Sequence, residues 1–144
     1  MASQPVTIET LLGVAPRKGD TRLGLSYAIL EGLPVGALDH LADTVAPGDS
    51  RFKFRLISKA TLDRRKKSAS KRLTSEEGDK LARIAKVFSF ALDIYKDPAK
   101  VRDFLGRAHP MLDNKAPLDV ALATGPGADV VINLLGRAAY GGGA

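Results

Sequence analysis

The segment 74–96 constrains the fold of this chain more strongly than any other part of the sequence. Its first four residues, TSEE, form a capping box, in which Thr74 and Glu77 exchange side-chain and backbone hydrogen bonds at a helix start. Apolar residues then recur at spacings of three and four, which places them on one face of a helix. The pattern predicts the longest helix of the chain. Core packing is the favoured role of the apolar stripe, and core packing with an added dimer contact is the alternative. The stripe residues are Leu81, Ile84, Phe88, Ala91 and Tyr95.

Start and stop signals divide the rest of the chain into shorter helices, and no alternating strand pattern of useful length occurs. The sequence therefore predicts an all-α fold. In the first 20 residues Gly13, Pro16 and Gly19 interrupt any helix, so a flexible segment is favoured over a helical turn at 7–12. The predicted shorter helices are 21–31, one from about Pro34 to before Pro47, 98–107 capped by Asp97, one from Pro117, and 128–139 after a turn at 125–127.

Positive charge is concentrated in the segment 51–72. This segment holds ten Lys or Arg residues against one acid, Asp63, whereas the whole chain carries a net charge of +6. Apolar residues such as Phe52 and Leu62 are interleaved with the basic ones, which argues against a disordered basic tail. A short helix at 49–55, a corner at 56–57 and a basic helix at 59–67 that is capped by Ser58 are typical of a helix-turn-helix.

The second helix of this pair carries side chains that suit DNA. Leu62 and Ala60 are predicted to face inward, and the outer Lys and Arg residues can bind phosphates or guanine edges. A solvated face, an acidic protein or a membrane surface is the alternative for a basic amphipathic helix. Nucleic acid is favoured, because concentrated charge suits an extended anionic partner. The predicted DNA-binding residues are Ser58, Lys59, Thr61, Arg64, Arg65 and Lys67.

Composition argues against several other classes of protein. The absence of cysteine excludes disulfides and thiol catalysis, and it fits the cytoplasm. No apolar run approaches the length of a membrane span, and no secretion signal is recognised. His40 and His109 are isolated, and no nucleophile elbow or phosphate-binding loop occurs. We therefore expect no enzymatic activity, no metal and no cofactor.

Four segments, taken in their order along the chain, carry a resemblance to a known protein family. They are ISKATLDRRKK (57–67), RLTSEEGDKLARIAKVF (72–88), PLDVA (117–121) with a glycine-rich turn after it, and LLGRAAYG (134–141). With these segments the chain resembles the Xre/MbcA/ParS family of antitoxins over residues 22–142. The resemblance implies an Xre-like helix-turn-helix domain at 21–72, after a flexible segment at 1–20. A small helical domain for toxin binding and dimerisation follows at 73–144.

The resemblance also implies partners and roles that composition does not show. The protein would inhibit a RES-domain toxin, which degrades NAD or transfers ADP-ribose, by blocking its NAD pocket with the C-terminal helix and tail. It would also bind promoter DNA as an autorepressor and form a homodimer. A free-standing transcriptional regulator without a toxin is the alternative. The implied toxin-inhibiting residues are Arg137, Tyr140, Gly141, Gly142, Gly143 and Ala144, and those of the dimer or core helix are Leu81, Ile84, Phe88 and Tyr95.

Overall fold

Helices joined by short loops make up the fold, as the all-α prediction requires. A computed structural model of the chain describes residues 7–15 and 21–141. Within these residues two isolated β-bridges occur but no strand. The helices are α1 (Ile8–Leu12), α2 (Thr21–Glu31), α3 (Gly36–Val45), α4 (Lys53–Leu56), α5 (Lys59–Lys67), α6 (Ser75–Tyr95), α7 (Pro98–Gly106), α8 (Pro117–Ala123) and α9 (Gly125–Gly141), with a 3-10 turn at Pro110–Leu112.

The chain divides into two compact units, and the division falls inside α6. The N-terminal unit is Thr7–Ala82, and the C-terminal unit contains the chain from Arg83 onward. The long helix therefore contributes residues to both units. The domain limits expected at 20/21 and 72/73 stay predictions, because they concern which pieces fold independently.

The capping box and the apolar stripe of α6 are confirmed. The Glu77 amide donates to the Thr74 hydroxyl at 3.2 Å, and the Thr74 amide donates to the Glu77 carboxylate at 2.8 Å. Leu81, Ile84 and Phe88 are buried, while Tyr95 is partly exposed. The stripe residues thus supply core within the chain itself, and their part in a dimer stays a prediction.

The N-terminal unit has a core built on α3, which packs against α1 and α4. The prediction that residues 1–20 form a flexible segment is wrong for the residues of α1. Thr7 caps this helix by accepting the Thr10 amide at 3.1 Å, and Leu11 and Leu12 are buried, at 3% and 0% exposed. Two adjacent leucines therefore supply enough apolar surface to hold a single helical turn in place. Residues 1–6 and 16–20 lie outside the described part of the chain.

In the N-terminal unit two helix starts differ from the predictions. Pro34 does not open α3; it precedes Val35, the residue at the N-cap of that helix, and forms a bridge with Arg72. The backbone of this stretch is held by hydrogen bonds to the loop after α5, including one of 2.7 Å from the Leu73 amide to the Leu33 carbonyl. The short helix predicted at 49–55 is α4, Lys53–Leu56, because the preceding residues form turns.

The C-terminal unit packs α8 against both α7 and α9. Asp97 caps α7 as predicted, accepting the Ala99 amide at 3.0 Å. The turn predicted at 125–127 is instead the first turn of α9. Its cap is Thr124, whose hydroxyl accepts the Gly127 amide at 2.9 Å. Within α9 Val131 is fully buried, whereas its neighbour Val130 is exposed.

Candidate functional site

The basic helix α5 begins at the predicted cap. The Ser58 hydroxyl accepts the Thr61 amide at 3.3 Å, and Leu62 is buried beneath the helix. Ala60 is exposed, so its predicted inward orientation is wrong. Residues two apart on a helix are separated by about 200° around the axis, which puts Ala60 opposite Leu62.

Three of the predicted DNA-binding side chains lie on the exposed side of α5. Lys59, Arg64 and Lys67 are exposed, whereas Thr61 is partly buried. By helical spacing Arg64 and Lys67 lie close to Ala60 on the side away from Leu62, and Lys59 lies at the edge of that side; Asp63 is exposed there as well. We call this set, Lys59, Ala60, Arg64 and Lys67, the basic face of α5. Lys66 is also exposed and is absent from the predicted DNA contacts; its membership of the basic run at 64–67 is the signal that could have found it.

Arg65 lies apart from the basic face and pairs with α6. Its Nε donates to Oε1 of Glu77 at 3.0 Å, and its Nη2 donates to Oε2 at 3.2 Å. Burial would raise the pKa of Glu77, but the hydrogen bonds from Arg65 and Thr74, with the guanidinium charge, hold that pKa below its ordinary value. The side-chain hydrogen bond to Glu77 in turn raises the pKa of Arg65. The sequence predicts Arg65 as a DNA contact without showing this pairing.

Two other basic residues of the segment 51–72 also form contacts within the fold. The Lys53 ammonium lies 3.4 Å from the Asp39 carboxylate, across α4 and α3. Arg72 donates through Nη1 to the Gly32 carbonyl at 2.8 Å. This segment therefore contains two groups of basic residues. Some form contacts that stabilise the N-terminal unit, and others lie on the basic face of α5.

The C-terminal helix α9 carries the predicted toxin-inhibiting side chain of Arg137 on its exposed surface. Arg137 lines a cavity of about 130 Å³ together with Met111 and Val130. These two apolar side chains are 62% and 49% exposed. Neither belongs to the toxin-binding residues predicted from sequence, and no local pattern singles them out, because their exposure depends on how α9 packs beside the 3-10 turn.

The end of α9 extends further than predicted and reaches Gly141, so Gly141 belongs to the helix and not to a tail. The backbone of Tyr140 is helical as well. The side chain of Tyr140 and the residues Gly142, Gly143 and Ala144 lie outside the described part of the chain, so the predictions for them stay predictions.

The two histidines have structural surroundings. The Nδ1 atom of His109 accepts the Met111 amide at 3.1 Å and so caps the 3-10 turn, and its ring contacts Phe104. The His40 ring covers Gly13, where an added Cβ would collide with it. Among the described residues no group of three or more His, Asp or Glu is arranged to hold a metal ion. The described helices also include none that is long and apolar enough to traverse a membrane.

Two protein-family profiles match the chain, and together they cover most of it. Residues 24–86 match the antitoxin Xre-like helix-turn-helix domain, which includes the basic face of α5. Residues 90–141 match the antitoxin Xre/MbcA/ParS C-terminal toxin-binding domain, which includes α7, α8 and α9. A search of curated proteins found no match.

Proposed function

The chain belongs to the Xre/MbcA/ParS family of antitoxins, and on that premise we propose that it neutralises a RES-domain toxin and represses its own promoter. The observation that carries this proposal is the pairing of a basic helix-turn-helix with a toxin-binding domain in one chain. The toxin would consume NAD, as RES-domain partners of this family are expected to do. The site of action would be the cytoplasm, where both NAD and the operon are found.

On the DNA side, the basic face of α5 supports promoter binding. Lys59, Arg64 and Lys67 are exposed on one side of a helix that Ser58 caps and Leu62 anchors. Arg and Lys on such a helix bind phosphates and guanine edges in the major groove. As a homodimer the protein would present two such helices to half-sites about 34 Å apart.

On the toxin side, the surface beside α9 supports protein binding. Met111 and Val130 offer exposed apolar area at the cavity that Arg137 borders, and an apolar side chain of the toxin would fill it. Arg137 would pair with toxin carboxylates. Val130 and Arg137 would then act as an anchor on the same helix that leads to the residues proposed to enter the NAD pocket.

The segment after Arg137 would close the NAD pocket. Tyr140 can stack where a nicotinamide or adenine ring stacks, and glycines fit a narrow cleft because they carry no side chain. Fixing the backbone of one residue in the cleft would cost roughly 1–2 kcal/mol. Helix α9 and the apolar cavity beside it would therefore supply most of the affinity.

Co-expression of the chain with the product of the neighbouring gene tests both halves in one sample. We expect the purified complex to consume little NAD and to bind a promoter fragment. A chain that ends after Arg137 keeps the buried residues of α9, and we expect it to bind DNA but to leave NAD consumption high. The Lys59→Ala/Arg64→Ala double variant should bind the promoter fragment weakly but still suppress NAD consumption.

For each part of this experiment, one outcome would contradict the proposed function. Full suppression of NAD consumption by the shortened chain would show that residues after Arg137 do not close the pocket. Unchanged promoter affinity in the double variant would remove α5 from the DNA interface. A neighbouring gene product without NAD-consuming activity would favour the alternative, a free-standing transcriptional regulator.

A further inference from the structure

We propose that Arg65 is a positioning residue that orients the DNA-binding helix, and that it does not itself contact DNA. This inference rests on the proposed function, since it concerns how α5 is presented to the promoter. It also replaces the role that the sequence predicts for Arg65, while it leaves the members of the basic face in place.

The geometry of the pair is that of a fixed internal contact. Two guanidinium nitrogens of Arg65 donate to the two carboxylate oxygens of Glu77, at 3.0 and 3.2 Å. The side chains are only 24% and 16% exposed. A planar guanidinium that meets a carboxylate through two bonds permits one relative orientation, which a single-point ammonium contact does not impose.

Glu77 is itself held in place by the start of α6. The same carboxylate accepts the Thr74 amide at 2.8 Å, and the Glu77 amide donates to the Thr74 hydroxyl. The acceptor for Arg65 is therefore part of a capping box and does not move freely. Arg65 thus joins α5 to the first turn of the longest helix in the chain.

The position of Arg65 along α5 explains why this contact controls orientation. Leu62 anchors α5 to the core, and Arg65 lies three residues later on nearly the same side of the helix. Two attachment points about one turn apart define both the axis and the rotation of a short helix. The Ser68 hydroxyl donates to the Arg65 carbonyl at 2.7 Å and so closes the C-terminal end of α5.

A direct DNA contact by Arg65 would work against this arrangement. If the guanidinium left Glu77 for a phosphate, a carboxylate without its cation would remain close to the polyanion. Arg64, the preceding residue, is exposed on the basic face and needs no such exchange.

The substitution Glu77→Gln distinguishes a positioning role of Arg65 from a direct DNA contact, because the two roles predict different changes in promoter affinity. Glutamine at this position still completes a capping box, so α6 keeps its start, but the charged two-bond pair with Arg65 is lost. A positioning role predicts promoter binding weaker by on the order of tenfold, the loss typical of one charge-assisted pair. A direct contact predicts equal or tighter binding, because a negative charge has been removed and Arg65 released.

Two further variants make the test independent of Glu77. Arg65→Lys keeps the charge but not the planar fork, so the positioning role predicts a loss of promoter affinity close to that of Glu77→Gln, with the salt slope of wild type. Arg64→Ala is the matched control, and we expect it to lower the slope of log affinity against log salt by about one contact. Hydrogen exchange should become faster in α5 for Glu77→Gln and Arg65→Lys but not for Arg64→Ala.

The outcomes distinguish this inference from the proposed function. Wild-type chain that binds the promoter, with Glu77→Gln equal or tighter, overturns the positioning role alone. A promoter affinity of Arg65→Lys equal to that of wild type would do the same. If the wild-type chain itself does not bind the promoter fragment, the proposed function fails, and the positioning role fails with it.

Discussion

Gly127 lies directly against the backbone of Val120. A Cβ built on Gly127 would collide with the Val120 carbonyl oxygen, closer than real Cβ atoms approach any atom. The first turn of α9 therefore approaches the backbone of α8 where only glycine fits. This close approach fixes how the helix that carries Arg137 packs against α8.

Replacing Gly127 with Ala should destabilise the protein, although Ala is the better helix former. The added methyl must displace backbone, and we expect a loss of about 1–3 kcal/mol in the free energy of unfolding. Gly136→Ala is the matched control in the same helix, because a methyl group there would meet no described atom within 4 Å beyond its own stretch of helix. That variant should gain up to about 1 kcal/mol. Urea unfolding measures both, and equal effects would contradict the close contact.

The two phenylalanines of the basic segment should differ sharply in their effect on stability. Phe52 is 1% exposed and Phe54 is 36% exposed. Phe52→Ala should therefore cost about 3–5 kcal/mol, the loss typical of a buried phenylalanine. Phe54→Ala should cost clearly less in the same urea titration, and a larger loss for Phe54 would reverse the assignment of the core.

Leu12 should contribute to stability as a core residue does. Its side chain is fully buried, so we expect Leu12→Ala to cost about 2–5 kcal/mol in thermal or urea unfolding. Leu30→Ala deletes the same atoms from a side chain that is 69% exposed, and should stay within about 0.5 kcal/mol of wild type. If Leu12→Ala left the free energy of unfolding unchanged, the result would support the flexible N-terminal segment that the sequence predicts.

The stabilisation from Glu77 should depend on pH in a defined direction. Its pKa is lowered in the folded protein, so its contribution is complete above the ordinary Glu value of about 4.3 and is lost as the pH falls through the lower folded value. The difference in unfolding free energy between wild type and Glu77→Gln should therefore shrink below about pH 4. Glu76→Gln, an exposed neighbour in the same turn, controls for the loss of a negative charge at the helix start. A difference that grows with acidity would contradict the assignment.

Local capping chemistry makes most helix starts predictable from sequence. Ser58, Thr74 and Asp97 each accept a backbone amide at the start of the helix that they are predicted to cap. The start of α9 escapes prediction, because its first residues are Gly125, Pro126 and Gly127, which favour turns. Its helical form depends on the Thr124 cap and on packing against α8, and the packing is not visible in the local sequence.

The candidate site can be predicted in outline but not in its division of roles. The concentration of charge in the segment 51–72 locates the basic helix. It does not reveal that Arg65 is paired with a residue 12 positions later, because that pairing depends on how two helices meet. The exposure of Met111 and Val130 likewise follows from tertiary packing.

The outward position of Ala60 has a consequence for the operator. Between the long side chains of Arg64 and Lys67, this alanine leaves a shallow gap in the basic face. A helix with such a gap can sit deep in a major groove, and a methyl group there can touch a thymine methyl but cannot form a hydrogen bond. On the proposed function, the base pair beneath Ala60 would be selected by shape and apolar contact, and a bulkier residue at this position would lift the whole helix away from the bases.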